Sequence, residues 1–386
     1  MLLDELVDRI RSTGPLRFDD FVEAALYHRE FGFFTRGSGA GRVGGDFLTS
    51  PEVGPLFGAL FARHLDRLWI DAGRPDRFVV AEVAAGRGAL AIAVKAASPL
   101  CGAALEYHLV ERSAELRQRQ SDHLSISADT TLEGPRDKGP TFLSHAEMDD
   151  LEAPVDVIFA NELLDNIPIR VIERTAAGWS EVHIDVSSSD SSRTSTVDGG
   201  TVDAGVHLVE RLEPLGPDDS GIREWAKQVV PDARLGARIP VQQAAIRWLA
   251  KALDLVRSPD GVVVIIDYCR STTELAQLDP SQWLRTYRDH GRGGSPLDEP
   301  GSQDITCDVA LDQLARLSPW KFNVSQAEWL TALGVADLVE EGRRIWDESA
   351  SAPDLAAIRA RSRVSEAEAL CDEAGLGGFR VLGWQR

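Results

Sequence analysis

From Phe78 to Asp267 the chain repeatedly sets down a short apolar run, closes it with a glycine or an acid, continues with a helical stretch and then begins another apolar run. Antiparallel hairpins do not need that spacing. A parallel neighbour does, because it is reached only by a crossover long enough to hold a helix. The runs predict strands over 78–83, 107–110, 141–143, 155–160 and 262–267, a helix beginning near Gly88 and another over 241–256. The expected fold class is therefore α/β with a parallel sheet, in which ligands collect at the carboxyl edge.

The remainder of the 386 residues decorates that core. The opening MLLDELVDRIR reads as an amphipathic helix. Phe18, Phe21, Val22, Ala25 and Leu26 mark one helical face, and Phe57, Leu60, Phe61, His64, Leu65, Leu68 and Trp69 mark another. Between them, GSGAGRVGG (37–45) reads as a mobile loop. A hairpin is expected over 169–186, turning at Ala176, Ala177 and Gly178, and the polar tract 187–205 as a disordered excursion. Residues 291–301 read as a loop, followed by helices and a terminal strand around 379–384. We divide the chain into a helical cap with its glycine-rich loop (1–75), a core (76–268) and a helical insertion with C-terminal strands completing the sheet (269–386).

Several chemistries are excluded at this level. The 41 Lys+Arg against 61 Asp+Glu give a net charge of −20, a field that repels nucleic-acid backbones and anionic membranes and attracts basic partners. Cys101, Cys269, Cys307 and Cys371 are widely spaced, and the eight histidines contain no HExxH, so neither a disulfide framework nor a metal site is expected. No GxSxG elbow occurs, and no lysine follows a glycine, which removes the phosphate-binding loop of the NTPases. With acids among its apolar residues the N-terminus is no secretion signal, and the expected location is cytoplasmic.

Chemistry concentrates where strands end. In Val79-Val80-Ala81-Glu82-Val83-Ala84-Ala85-Gly86-Arg87-Gly88 a strand runs into a glycine turn and a helix start, the arrangement that brings backbone amides close to a nucleotide. Gly86, Gly88 and Ala91 satisfy GxGxxA, a dinucleotide fingerprint. Glu82, expected to be ionised, argues against it: it repels a pyrophosphate and suits an ammonium group such as that of S-adenosyl-L-methionine. Glu111, closing the next strand, is placed to accept hydrogen bonds from ribose hydroxyls. After the strand over 155–160, Asn161-Glu162-Leu163-Leu164-Asp165 puts Glu162 and Asp165 on one face if a helical turn begins at Asn161. Two carboxylates can then clamp a guanidinium while a methyl group approaches, or simply favour the start of a helix that Asn161 caps. Asn161 is grouped with the cofactor contacts, as is Asp46, on the loop after the glycine-rich stretch. Thr49 shares with Asp46 a loop that could close over cofactor and substrate, but with Glu52 it also fits a capping box, the favoured reading; Tyr268 could line the pocket, although an aromatic there is more often core.

Taken together, these motifs resemble the MidA family of S-adenosylmethionine-dependent methyltransferases. The likeness runs through Gly14-Pro15, Ala25-Leu26-Tyr27-His28, Phe31-Gly32-Phe33-Phe34, Gly45-Asp46-Phe47-Leu48-Thr49-Ser50-Pro51-Glu52, the Glu82–Gly88 turn, Val110-Glu111, Asn161 to Pro168, Gly178-Trp179 and Ile266-Asp267-Tyr268. The resemblance implies a Rossmann-like class I methyltransferase sheet with a helical N-terminal extension and helical and hairpin insertions. It implies S-adenosyl-L-methionine on the Gly86–Gly88 turn with Glu111 on the ribose, and Asp46 facing the cofactor. The Glu162 region would face the acceptor, an arginine of a complex I subunit for the mitochondrial members. The chain departs from the family in two places. Ala84 and Ala85 stand for a Gly-Pro pair, and Leu163, Leu164 and Asn166 replace Phe, Phe and Ala around the two carboxylates. If that glycine position needs a left-handed backbone or very close approach to the cofactor, Ala84 weakens cofactor binding; ordinary strand geometry, at little cost, is the expectation.

The expectation is thus a methyltransferase acting on a protein substrate bearing arginine, with Glu162 and Asp165 catalytic, Glu82, Ala84, Gly86, Gly88, Glu111, Asp46 and Asn161 binding S-adenosyl-L-methionine, and no metal, nucleic-acid or membrane partner. Homodimerisation is left open. Alternatives are methylation of a small molecule, a cofactor-binding assembly factor without turnover, and, disfavoured by Glu82, a nicotinamide-dependent dehydrogenase.

Overall fold

The computed structural model of the protein describes residues 1–36, 49–127, 139–151, 154–187, 206–256, 260–288 and 291–385. The expectations for 37–45, for Asp46 and for nearly all of 187–205 lie outside those residues. Two compact units interleave along the sequence, one made of Met1–Arg36, Asn166–Ala244 and Arg270–Ala310, the other of Gly37–Asp165, Ala245–Cys269 and Leu311–Arg386.

The second unit is built on a seven-stranded sheet. Its strands are β1 (Phe78–Val83), β2 (Leu105–Val110), β3 (Thr141–His145), β4 (Val157–Asn161), β5 (Val262–Asp267), β6 (Phe322–Ser325) and β7 (Arg380–Gln385). They lie in the order β6-β7-β5-β4-β1-β2-β3. β1 to β5 run parallel, whereas β7 is antiparallel to both β5 and β6. β1, β2 and β5 are buried along their whole length, which is why they read as unbroken apolar runs rather than alternating ones. The registers Val83↔Val110, Val83↔Ala160 and Ile266↔Asn161 bring the carboxyl ends of the four central parallel strands level. The helix Pro55–Asp71 covers the sheet with the face read from its periodicity: Phe57, Leu60, Phe61 and Leu65 are fully buried, and the Phe61 ring lies 4.4 Å from that of Phe159. Ala89–Ala97 follows β1 and Gln243–Leu255 precedes β5.

The first unit contains the expected hairpin, Arg170–Thr175 against Gly178–Val186, extended to five strands by Leu16–Arg17, Arg238–Val241 and Leu208–Pro214. Arg170 is buried in this sheet, with Nε and Nη2 each 2.6 Å from Glu181 and Nη1 2.8 Å from Asp219. The stretch 291–301 is not wholly loop. Gly291–Arg292 pairs with Leu284–Arg288, which also pairs with Asp304–Cys307. A glycine-rich composition conceals so short a strand, since only two residues of it enter the ladder.

Candidate active site at the carboxyl edge

Beyond Val83 the chain reverses through three left-handed residues, Ala84 (φ +59°), Gly86 (φ +53°) and Gly88 (φ +80°). Glycine suits two of these. Ala84 departs from the expected strand geometry, and its Cβ costs about 1–2 kcal/mol in this conformation. The turn is tied down from the next strand: Ala85 N–H donates to the Val110 carbonyl (3.1 Å) and Gly88 N–H to the Ala85 carbonyl (2.8 Å). A Cβ at Gly88 would stand 3.0 Å from Leu109 Cδ2, so with a side chain there the leucine would have to shift for the helix start to pack as closely against β2.

Glu111 lies at the end of β2 and is 8% exposed. One carboxylate oxygen accepts from Gly86 N–H (2.9 Å) and the other from Ser113 N–H (2.7 Å), and the Arg112 backbone also donates to the carboxylate, so the side chain is fixed. Gln120 donates to the Gly86 carbonyl at 2.8 Å and accepts from the Ser144 hydroxyl at 2.6 Å, bracing the turn from behind. Among the described residues a Cβ at Gly86 would meet no atom within 4 Å, which leaves its backbone open to close approach from them. An approachable backbone turn beside a pre-oriented carboxylate suits a nucleoside cofactor bearing ribose hydroxyls.

Glu82 corrects the sequence reading. Its carboxyl is buried and accepts from the Tyr107 hydroxyl at 2.8 Å. Burial pushes its pKa up to about 8, with the charge of Glu111 adding to the shift, so at neutral pH it is mostly protonated rather than ionised. A cationic group beside it would reverse that.

The carboxyl ends of β4 and β5 form the acidic half of the edge. No helical turn begins at Asn161, which is still in the sheet opposite Ile266 and caps no helix. Instead Asn161 Nδ2 donates to Glu162 Oε1 (3.0 Å), and Glu162, at φ +51°, is held by its N–H on the Ile266 carbonyl (2.8 Å). The cap for the turn that follows comes from Asp267. Its Oδ2 accepts from Leu164 N–H (3.0 Å) and Asp165 N–H (3.3 Å), and its Oδ1 accepts from Tyr268 N–H (3.0 Å). The Tyr268 hydroxyl donates to Asp165 Oδ2, so Tyr268 is a polar partner of the site and not merely a core aromatic. Burial, then the charges of Asp165 and Glu52, push Glu162 up to about 8, partly opposed by hydrogen bonds from Asn161 and the Ser50 backbone. Burial and the charges of Asp165 and Glu162 raise Asp267 well above the usual carboxylate range.

The capping box read at Thr49 does not form either. Thr49 precedes the short helix Ser50–Val53 without a side-chain bond, and Glu52 turns instead to Arg87, whose Nη2 lies 3.2 Å from its Oε1. Asp267, Tyr268 and Glu52 thus join the site that Glu82, Gly86, Gly88, Glu111, Asn161, Glu162 and Asp165 were expected to make. For Asp267 the signal was present, since an acid closing an apolar strand is the feature that singled out Glu82 and Glu111. Among the described residues no group of His, Cys, Asp or Glu is placed to hold a metal ion, and no helix is long and apolar enough to cross a membrane.

Residues 60–325 match the family model for S-adenosyl-L-methionine-dependent methyltransferases. The chain is similar to the protein arginine methyltransferase NDUFAF7 homolog, mitochondrial, of Drosophila melanogaster, with 25% identity over 334 residues, 84% of this chain and 71% of the relative. It is similar to the mitochondrial protein arginine methyltransferase NDUFAF7 of Mus musculus, again with 25% identity, covering 86% of this chain and 74% of the relative. A crystal structure of a Burkholderia thailandensis protein bound to S-adenosyl-homocysteine superposes with a TM-score of 0.78 at 24% identity, covering 100% of this chain and 92% of that one, and shares the fold. The curated relatives are mitochondrial by name, which overturns the expected cytoplasmic location.

Proposed function

The chain belongs to the MidA family of S-adenosyl-L-methionine-dependent methyltransferases, and from that premise we propose that it methylates the guanidinium of an arginine in a protein substrate, using Glu162 and Asp165 to hold the acceptor. The observation that carries this reading is the convergence of part-buried Glu162 and buried Asp165 at one strand end, in a unit whose neighbouring strand end presents the glycine turn. The relatives named above as arginine methyltransferases support it.

S-adenosyl-L-methionine, when bound, supplies an electrophilic methyl group on a sulfonium. The Gly86–Gly88 turn would hold it, with Glu111 on the ribose hydroxyls and Glu82 toward the ammonium, while Ala84 and Asn161 border it; Asp46 remains a proposed contact on sequence grounds. The chain's own contribution is alignment and charge. Glu162 and Asp165 accept hydrogen bonds from a planar guanidinium and turn one nitrogen toward the methyl group. Asp267 fixes Asp165 through its backbone, and Tyr268 fixes it through its carboxylate. When the nitrogen–carbon bond forms and the carbon–sulfur bond breaks, the methylated nitrogen must lose a proton. Glu162, raised to about 8 and so largely protonated in the empty site, would be ionised by the positive charge of the bound guanidinium and is then suited to take that proton on a carboxylate oxygen.

The test is methyl transfer from isotope-labelled S-adenosyl-L-methionine in a protein extract, followed by acid hydrolysis and chromatography. The expected product is methylarginine in the protein fraction. Label confined to small molecules would contradict the reading and favour a small-molecule acceptor.

A further inference from the structure

We propose that Glu52 is a third acceptor-contacting carboxylate, which makes the site selective for a guanidinium. This rests on the reading that Glu162 and Asp165 receive the acceptor, and it adds a residue from a different part of the chain. Glu52 already grips a guanidinium, that of Arg87, through Oε1 at 3.2 Å. Its Oε2 is buried and, among the described residues, has no hydrogen-bond partner. An acceptor lone pair removed from water in this way is unfavourable until a donor reaches it.

The surroundings keep Glu52 rigid and bring it to Glu162. The Ser50 hydroxyl, fully buried, donates to Gln326 Oε1 (2.9 Å), and Gln326 Nε2 donates to the Leu370 carbonyl (3.0 Å). The next helix is pinned in turn, Leu56 N–H donating to Glu366 Oε2 at 2.9 Å. The Ser50 backbone also donates to the Glu162 carboxylate, and Glu162 responds to the charge of Glu52. Arg87 thus meets Glu52 at one oxygen, while Glu162 takes its hydrogen bonds from Asn161 and the Ser50 backbone and Asp165 from Tyr268. A compact ammonium offers three donors from one point, whereas a planar guanidinium offers five in a fork that reaches carboxylates on separate elements. The arrangement therefore selects the fork.

The test uses the full chain saturated with S-adenosylhomocysteine and titrated with methylguanidinium, with methylammonium as the control, observed by ligand NMR. Wild type should bind methylguanidinium in preference to methylammonium. Glu52→Gln should weaken methylguanidinium at least tenfold, leave the S-adenosylhomocysteine affinity within twofold, and move the pH dependence of binding to lower pH, because Glu162 loses a neighbouring charge. Glu52→Asp, which keeps the charge and spares the fold if the amide does not, should retain the pH dependence and lose part of the preference. Unchanged methylguanidinium binding in Glu52→Gln, or weakened S-adenosylhomocysteine binding with no change in methylguanidinium, would overturn the proposal. Failure of the underlying reading looks different: Glu162→Gln with Asp165→Asn would then bind methylguanidinium like wild type.

Discussion

Ala84 is exposed and left-handed, so Ala84→Gly removes a steric cost without opening a cavity and should stabilise the protein by about 1 kcal/mol, measured by urea unfolding. A loss of stability would mean that the backbone there is extended after all. Glu82 has a folded pKa near 8, above that of a carboxyl in the unfolded chain. The folded protein therefore keeps a proton that the unfolded chain has released. The stability this group contributes is present in full below about pH 4.5 and is lost as pH rises through 8. A cation binding beside Glu82 should expel that proton. Calorimetry of S-adenosylhomocysteine in buffers of different ionisation enthalpy should detect proton release at pH 7, little at pH 9.5, and none at either pH for Glu82→Gln. Equal release from the variant would assign the proton elsewhere.

At the scale of elements, the buried Arg170 of the five-stranded sheet carries a sharper expectation. Glu181, despite the cost of burial, is held near a pKa of 2 by His183 and Arg170. Its depressed pKa contributes about 3 kcal/mol above pH 4.5, lost as pH falls toward 2. Arg170→Met should cost about 3–5 kcal/mol at neutral pH, because Glu181 and Asp219 lose the cation they face, and should flatten the acid limb of the stability curve. Unfolding midpoints across pH would check both. The elements themselves were largely legible in the sequence. β1 and β5 have the expected bounds, because fully buried parallel strands leave unbroken apolar runs, and the hairpin followed from its glycine turn. What local pattern could not supply was which distant residue meets which. Asp267 caps a turn more than a hundred residues earlier in the chain, Tyr268 finds Asp165 across the same gap, and Glu52 abandons the local capping box for Arg87 on another element. The left-handed backbone at Ala84 is announced by the glycine usual to the family at that position and not by the alanine itself.

Across the whole molecule, the net charge of −20 acts on the two ligands differently. An arginine-bearing acceptor approaches down a favourable potential, whereas S-adenosylhomocysteine, a zwitterion, gains little from it. Raising the salt from about 0.05 M to about 0.5 M shortens the screening length several-fold. It should raise the acceptor KM markedly while leaving the S-adenosylhomocysteine affinity nearly constant; a parallel loss of both would argue against a basic acceptor. In the proposed mechanism one sheet edge carries two separable half-sites, a glycine turn for the cofactor and a carboxylate cluster for the acceptor. Calorimetric titration of S-adenosylhomocysteine into wild type and into the double variant Glu162→Gln, Asp165→Asn, paired with methyl transfer by both, tests it most directly. The two proteins should bind S-adenosylhomocysteine with the same micromolar affinity, and wild type alone should transfer the methyl group. Loss of S-adenosylhomocysteine binding in a folded double variant, or undiminished methyl transfer by it, would contradict it.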